Sequence, residues 1–387
     1  TIKQDKLAIL YPIVLSDRIE LLLNIGEQFY QHTVTVSAEE FEQTVRHYAS
    51  NLRKGSEEQS NQQLYDWLIR PISTQLEQHQ IETLVYIPDG VLRLLPIASL
   101  HDGKHYLIEH YAISTLPGLA ILPVDHKTLP TNQTLLVRLS NPAVETVANL
   151  PEKLLQGLFG ESTATAPERT LLANTSLRSV SDKLRALNSQ EAPLTRQVRL
   201  EKLAQALSLP GVKEEIEQLS KKLPGSTILN QDYTLSNFDQ LAEQPKYDTI
   251  HIASHGFFGG NSDESFIMAY DKLLTINHLE TLLSERSKNP IDLIVLSACQ
   301  TAEGDDRAPL GISGIALKAK AKTALGSLWP ISDDAAVEIM KEFYKGLKQQ
   351  GLTKAKALQQ AQIKLLQNKA FSHPFYWSPF VLVGHWK

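Results

Sequence analysis

The chain has 387 residues, room for two domains of ordinary size or one large α/β domain. Apolar residues make up 42% and charged residues 21%, a globular balance that excludes wholesale disorder. With 38 Lys and Arg against 43 Asp and Glu the formal charge is −5, which argues against a nucleic-acid partner, since such binders usually carry a basic excess.

Strand-like runs open the chain at Leu7 to Val14 and Arg18 to Ile25, and His32 to Val36 alternates polar with apolar positions. Ser37 before Ala38-Glu39-Glu40 predicts a capped helix with acids in its first turn, running to about Leu52. After the polar gap Lys54 to Asn61, a second helix is expected from Gln62 to about Gln78, with Leu64, Trp67, Leu68 and Ile72 sharing a face. Thr83 to Ile87 reads as a buried parallel strand closed by the turn Pro88-Asp89-Gly90. Ala112 to Val124 is too short for a membrane span and carries Pro117, Gly118 and Pro123, so no membrane partner is expected. Leu135 to Leu139 reads as another buried strand.

The texture then changes. Asn141 to Leu207 is rich in Ser, Thr, Ala, Leu and Gln, with Lys153, Arg169, Arg178, Lys183, Arg185, Arg196, Arg199 and Lys202 scattered through it. It reads as a helical or partly mobile insertion whose charges form a solvated face, or a partner or processing site. From Leu209 order returns, with helices expected over Pro210 to Lys222, Ser236 to Glu243, Gly311 to Lys320, Asp333 to Leu347 and Thr353 to Gln367. Between and after them lie strands at Ser226 to Leu229, Asp248 to Ala253, Asp292 to Ser297, Thr323 to Leu328 and Pro379 to Val383. This alternation predicts an α/β fold, a mostly parallel sheet with helices on both faces. No repeat of solenoid period is present.

Two strand ends carry chemistry: Tyr247 to Gly256, ending in Ser254-His255-Gly256, and Ile291 to Thr301, ending in Ser297-Ala298-Cys299-Gln300-Thr301. Ligands of open α/β sheets bind outside the carboxyl ends of the strands, and adjacent parallel strands are about 4.8 Å apart. His255 and Cys299 can therefore face one another across a substrate. An imidazolium favours a thiolate and later protonates a leaving group. Gly256 lets a carbonyl approach its N–H, and with the N–H of Cys299 it can form an oxyanion hole. The competing reading makes Cys299 a buried core thiol and His255 a satisfied polar residue. His251 is a second imidazole, on the same face as His255 if the strand continues, and is expected to be packed. Cys299 is the single cysteine, which excludes a disulfide framework and a Cys-rich metal site and fits a reducing, cytoplasmic location. No metal or organic cofactor is expected, because His101 and His105 flank the turn Asp102-Gly103 rather than sharing a helix face. The opening Thr1-Ile2-Lys3-Gln4-Asp5 is no signal peptide, and the missing initiator Met makes a piece of a longer protein the expectation. The sequons at Asn132 and Asn174 then mean little.

The stretches His251-Ile252-Ala253-Ser254-His255-Gly256 and Leu296-Ser297-Ala298-Cys299-Gln300-Thr301 resemble the CHAT domain, the caspase-like module attached to tetratricopeptide repeats, within the caspase–separase group of cysteine peptidases. So do Ala324 to Asp333, His373 to Gly384, Val85 to Pro96 and Leu209 to Ile216, in the right order. The resemblance implies a caspase-like sheet with a His255–Cys299 dyad over residues 131–387, with the insertion at about 141–207. Before it, over residues 1–130, it implies a degenerate pseudo-peptidase half. It also implies a P1 pocket in which Asp333 would attract Lys or Arg; alternatively, Asp333 sits in the first turn of a helix and meets its dipole. The resemblance implies a protein or peptide substrate and an upstream tetratricopeptide-repeat region or activator. The chain departs from the family at Ala319-Lys320-Ala321, where a Gly is expected, and in the length of the insertion. A cysteine endopeptidase is the leading expectation, and a catalytically idle interaction module is the alternative.

Overall fold

The computed structural model describes residues 6–56, 60–118, 132–159, 184, 195–258, 265–286, 289–297, 299–301, 321–329 and 331–387. The chain folds into two compact units, the first of residues 1–127 and 322–387, the second of residues 128–321.

The first unit holds strands β1 (Leu7–Val14), β2 (Arg18–Ile25), β3 (Gln28–Thr35), β4 (Thr83–Tyr86) and β5 (Ala112–Thr115), and the last two of the chain, β14 (Thr323–Ser327) and β15 (Phe380–Gly384). Their order is β3-β2-β1-β4-β5-β15-β14. β1, β4, β5 and β15 run parallel, while the β1-β2-β3 meander and the β14-β15 pair are antiparallel. β2 alternates as its sequence requires, with Ile19, Leu21 and Leu23 buried. β3 alternates exposed with half-buried positions (Tyr30, His32 and Val34) and begins four residues before the expected His32.

Ser37 caps helix Ala38–Arg53 by accepting from the Glu40 N–H, and that helix buries Phe41, Val45, Tyr48, Ala49 and Leu52. The second expected helix is broken into Ser60–Leu68, a 3-10 turn Arg70–Ile72 and Ser73–Gln78. Pro71 is the reason: it has no N–H to donate, and its ring collides with the carbonyl one turn back. Helices Asp333–Tyr344 and Lys354–Leu366 also belong to this unit, close to their expected spans.

The second unit is built on β6 (Gln133–Arg138), β7 (Gly225–Leu229), β8 (Tyr247–Ala253) and β12 (Leu293–Leu296), ordered β12-β8-β6-β7 and paired in parallel. Strands β6, β8 and β12 are almost wholly buried, as parallel strands covered by helices should be. Leu135, Val137, Ile250, Ile252 and Leu296 of the sheet pack with Leu203, Phe238 and Leu279 of helices Arg196–Ala206, Leu235–Ala242 and Ile276–Ser284. The last of these helices has no counterpart in the sequence reading. Nor does a small second sheet of β9 (Gly256–Phe258), β10 (Phe266–Met268), β11 (Leu273–Thr275) and β13 (Cys299–Thr301), ordered β11-β10-β9-β13.

Three helices of the insertion are described, Val144–Ala148, Glu152–Phe159 and Arg196–Ala206, and they contribute Val147, Leu155, Leu158, Leu200 and Leu203 to the core. Residues 160–183 and 185–194 of it, and the helix expected over Gly311 to Lys320, lie outside the described residues. Among the described residues no helix is long and apolar enough to cross a membrane.

Candidate active site

The chain leaves β6 for β7 on one side and returns to β8 on the other. Connections diverge from the carboxyl ends of β6 and β8 at such a switch, which opens the crevice where α/β sheets bind ligands. At the end of β6, Ser140 accepts from the Leu209 N–H at 2.9 Å, and the Ser140 N–H donates to Asn230 Oδ1 at 2.8 Å. Ser208 Oγ donates to Asn141 Oδ1 at 2.8 Å. These bonds seat Leu207, the residue closing helix Arg196–Ala206, at the carboxyl end of β6.

β8 stops at Ala253, where the Leu139 N–H donates to the Ala253 carbonyl. Beyond it, Ser254 Oγ donates to the Met268 carbonyl at 2.6 Å, and the Met268 N–H donates to the His255 carbonyl at 2.8 Å. The turn carrying His255 is thus pinned to β10. His255 is 3% exposed, and its Nε2 lies 2.7 Å from the Leu207 carbonyl oxygen. A carbonyl only accepts, so the proton of the neutral imidazole sits on Nε2 and the lone pair on Nδ1.

Gly256 follows and opens β9; Cys299 opens β13, and the two residues are register partners in a parallel pair. Parallel neighbours lie about 4.8 Å apart, so the backbones of Gly256 and Cys299 run side by side directly after the imidazole. The structure therefore brings together His255, Gly256 and the backbone of Cys299. Asp333 belongs to the first unit, exposed in the first turn of helix Asp333–Tyr344, where a carboxylate meets the positive end of the helix.

His251 is fully buried on β8, opposite Leu136 of β6 and Val295 of β12. Because β8 ends at Ala253 and His255 leads into the separate small sheet, the continuous strand that would put both imidazoles on one face is not formed. His251 Nε2 lies 2.8 Å from Glu215 Oε1, and Ser297 Oγ donates to Glu215 Oε2 at 2.8 Å. Sequence reasoning missed Leu207 and Glu215. A backbone carbonyl has no residue signature. Glu215 had one: on helix Pro210–Ser220 it interrupts the stripe of Val212, Ile216 and Leu219, an acid on an otherwise apolar face.

Among the described residues one group has ligand atoms that could converge on a cation: Asp102, His105 and His110, within 4.8 Å of one another in the first unit. Asp102 Oδ1 accepts from the Lys104 and His105 N–H groups at 2.6 and 2.7 Å, while Oδ2 is 3.7 Å from His110 Nε2. Burial pushes the Asp102 carboxyl up, but those two N–H bonds and the neighbouring imidazoles outweigh it and hold the group below its ordinary range. Helix Leu107–His110 is what brings the third side chain to the turn that carries Asp102 and His105.

These features define a mixed α/β protein on a mostly parallel sheet, with a histidine turn and a cysteine strand side by side past the strand ends. The CHAT domain family model matches residues 58–385, and the chain belongs to that family. Tetratricopeptide repeat protein 28 of Homo sapiens is 34% identical over 97 residues, which is 24% of this chain and 4% of that protein. Its Mus musculus counterpart is 34% identical over 96 residues, with the same shares. Crystal structures of the Saccharomyces cerevisiae separase–securin complex are similar over 83% of this chain and 17% of the separase-complex chain, at 12% identity and a TM-score of 0.39. A second such structure gives 11% identity, a TM-score of 0.37 and 18% of that chain. The chain thus spans a small fraction of the proteins it matches. The CHAT resemblance and the mostly parallel α/β sheet expected from the sequence both hold.

Proposed function

We propose that the chain is a cysteine endopeptidase of the CHAT type. The observation that supports this best is the pairing of Cys299 with Gly256, directly after an imidazole whose Nε2 is engaged by the Leu207 carbonyl. In this reading Nδ1 of His255 takes the thiol proton and the Cys299 thiolate adds to the scissile carbonyl carbon. The N–H groups of Gly256 and Cys299 meet the oxyanion, and the absent Cβ of Gly256 leaves room for it. As the tetrahedral intermediate collapses the C–N bond breaks, and the imidazolium gives its proton to the leaving amine. A water that loses a proton to the same Nδ1 then hydrolyses the thioester, releasing the carboxyl product and restoring the thiol. These steps call for no metal or organic cofactor.

The substrate in this reading is a protein or peptide. Asp333 serves as the acidic base of a P1 pocket for Arg or Lys. Residues 1–130 act as a pseudo-peptidase half, and the insertion at 141–207 is a regulatory segment open to self-cleavage. An upstream tetratricopeptide-repeat region or activator is the partner, in keeping with the names of the curated relatives.

The test is intact-mass labelling with a peptidyl acyloxymethyl ketone bearing Arg at P1, on wild type, Cys299→Ala and His255→Ala. A single adduct on wild type, lost in both variants, is the expected result. No adduct, with the thiol still open to a small alkylating agent, would favour an interaction module that is catalytically idle.

A further inference from the structure

Glu215, His251 and Ser297 take no part in the proton transfers described above, yet they are buried together, with 2%, 0% and 7% exposure. Placing an imidazole and a carboxylate inside a parallel sheet costs desolvation that apolar side chains would avoid, so the cluster is weak as a device for stability alone. Its position is informative. His251 lies on β8 four residues before His255, and Ser297 follows β12 two residues before Cys299. Glu215 lies on helix Pro210–Ser220, eight residues after Leu207, whose carbonyl holds His255.

The register makes the geometry specific. His251 pairs with Val295 across β8 and β12, and the Ser297 N–H donates to the Ile252 carbonyl at 3.1 Å, so the strands stay paired as far as Ser297. Alternation puts Val295 and Ser297 on the same side of the sheet as His251. One carboxylate therefore meets both strands immediately before the residues of the dyad, Oε1 toward β8 and Oε2 toward the end of β12.

We propose that Glu215 is a positioning residue, whose carboxylate packs against His251 Nε2 at 2.8 Å while accepting from Ser297 Oγ, and thereby sets the spacing of the strand ends that present His255 and Cys299. This rests on the dyad reading given above. None of the three residues touches substrate; they act through His255 and Cys299.

Removing Glu215 alone leaves His251 buried opposite a void and tests folding as much as positioning. The informative change is Glu215→Leu combined with His251→Leu, because apolar replacement of both members of a buried pair is often neutral or stabilising. Glu215→Gln is the conservative partner: its amide oxygen can accept from His251 and its NH2 can donate to Ser297 Oγ. The readout is the rate of iodoacetamide alkylation of Cys299, the single cysteine, followed by intact mass as a function of pH beside His255→Ala. Wild type is expected to react faster than His255→Ala near neutral pH. The double Leu variant should keep the wild-type thermal midpoint and lose about tenfold or more in rate, as small misplacements of reacting groups do. Glu215→Gln should keep most of the wild-type rate, and Ser297→Ala, which removes the hydrogen bond to Glu215 Oε2, should give an intermediate rate. A double variant that folds and reacts like wild type overturns the positioning role and leaves the dyad reading standing. If the double variant fails to fold, an unchanged pH profile for Ser297→Ala overturns it instead. Wild type no faster than His255→Ala sinks the dyad reading and this proposal together.

Discussion

Replacing Arg286 by Met is expected to destabilise the second unit by about 3 kcal/mol, and replacing it by Lys to cost at least as much. Arg286 follows helix Ile276–Ser284 and is 6% exposed. Its Nη1 donates to the Ala242 carbonyl at 2.7 Å, Nη2 to the Tyr247 carbonyl at 2.6 Å and Nε to the Asn289 carbonyl at 3.2 Å. Ala242 closes helix Leu235–Ala242, so its carbonyl is one that the helix leaves unpaired, and Tyr247 opens the strand that leads to His255. One guanidinium thus fixes where that strand begins.

Burial opposes the arrangement: desolvation lowers the Arg286 pKa, and the carboxylate of Asp248 offsets this in part. Met returns that desolvation cost but leaves two buried carbonyls without donors, at roughly 1–3 kcal/mol each. Lys keeps the buried charge while losing the planar fork that spans two acceptors at once. Urea unfolding at neutral pH measures both. Far-UV circular dichroism is the signal to follow, because all four tryptophans (Trp67, Trp329, Trp377 and Trp386) lie in the first unit. In a thermal scan the Met variant should melt lower by roughly 6–12 °C for a unit of this size. Lys above Met in stability, or both within about 1 kcal/mol of wild type, would refute the argument that geometry outweighs charge here.

Gly225→Ala should cost more than the roughly 1–3 kcal/mol of ordinary overpacking, because φ is +143° and a Cβ would stand 1.9 Å from the Thr134 carbonyl oxygen. Gly351→Ala isolates the backbone strain, with φ +67° and no atom within 4 Å of the added Cβ; thermal midpoints of the two should differ widely, and equal losses would mean β7 simply shifts. Glu82 is held down from its ordinary 4.5 to about 2, first by the Lys356 hydrogen bond and then by that of Lys6. Its folded-state pKa is depressed, so its contribution is complete above about pH 4.5 and is lost as pH falls toward 2. The side chain is 40% exposed, so solvent screening limits the effect to about 1 kcal/mol, and Glu82→Gln should differ from wild type at pH 7 but converge with it in strong acid. A difference that persists in strong acid would assign the effect to packing. For specificity, Asp333→Asn should lower turnover of peptides with Arg or Lys at P1 more than that of others, and an even loss across a peptide panel would instead assign Asp333 to the helix terminus.

Much of this protein is written locally. The eight-residue runs of β1 and β2, the Ser37 cap and the buried strands β4, β6, β8 and β12 all follow from alternation, apolar runs and capping chemistry that each segment carries alone. The same is true of the residue types at the site: an apolar strand ending in Ser254-His255-Gly256 and another ending in Cys299 can be read without knowing which strands are neighbours. Pro71 is equally legible, although an apolar face continues across it; the proline breaks the helix because its backbone effect acts whatever the face.

Other features exist only once the chain is folded. Three-residue strands such as β9 and β13 are too short to show a period, so the pairing of Gly256 with Cys299 had to come from tertiary structure. The Leu207 carbonyl that selects the His255 tautomer is a backbone group, available from any residue and brought in across 48 positions. Glu215 meets Ser297 across 82 positions, and Asp102 joins His105 and His110 only because a turn and one helical turn fold back together. Local propensity records what a residue does with its near neighbours. Hydrogen bonds and ion pairs between distant segments depend on which strands become adjacent, and strand order is decided by packing of the whole unit.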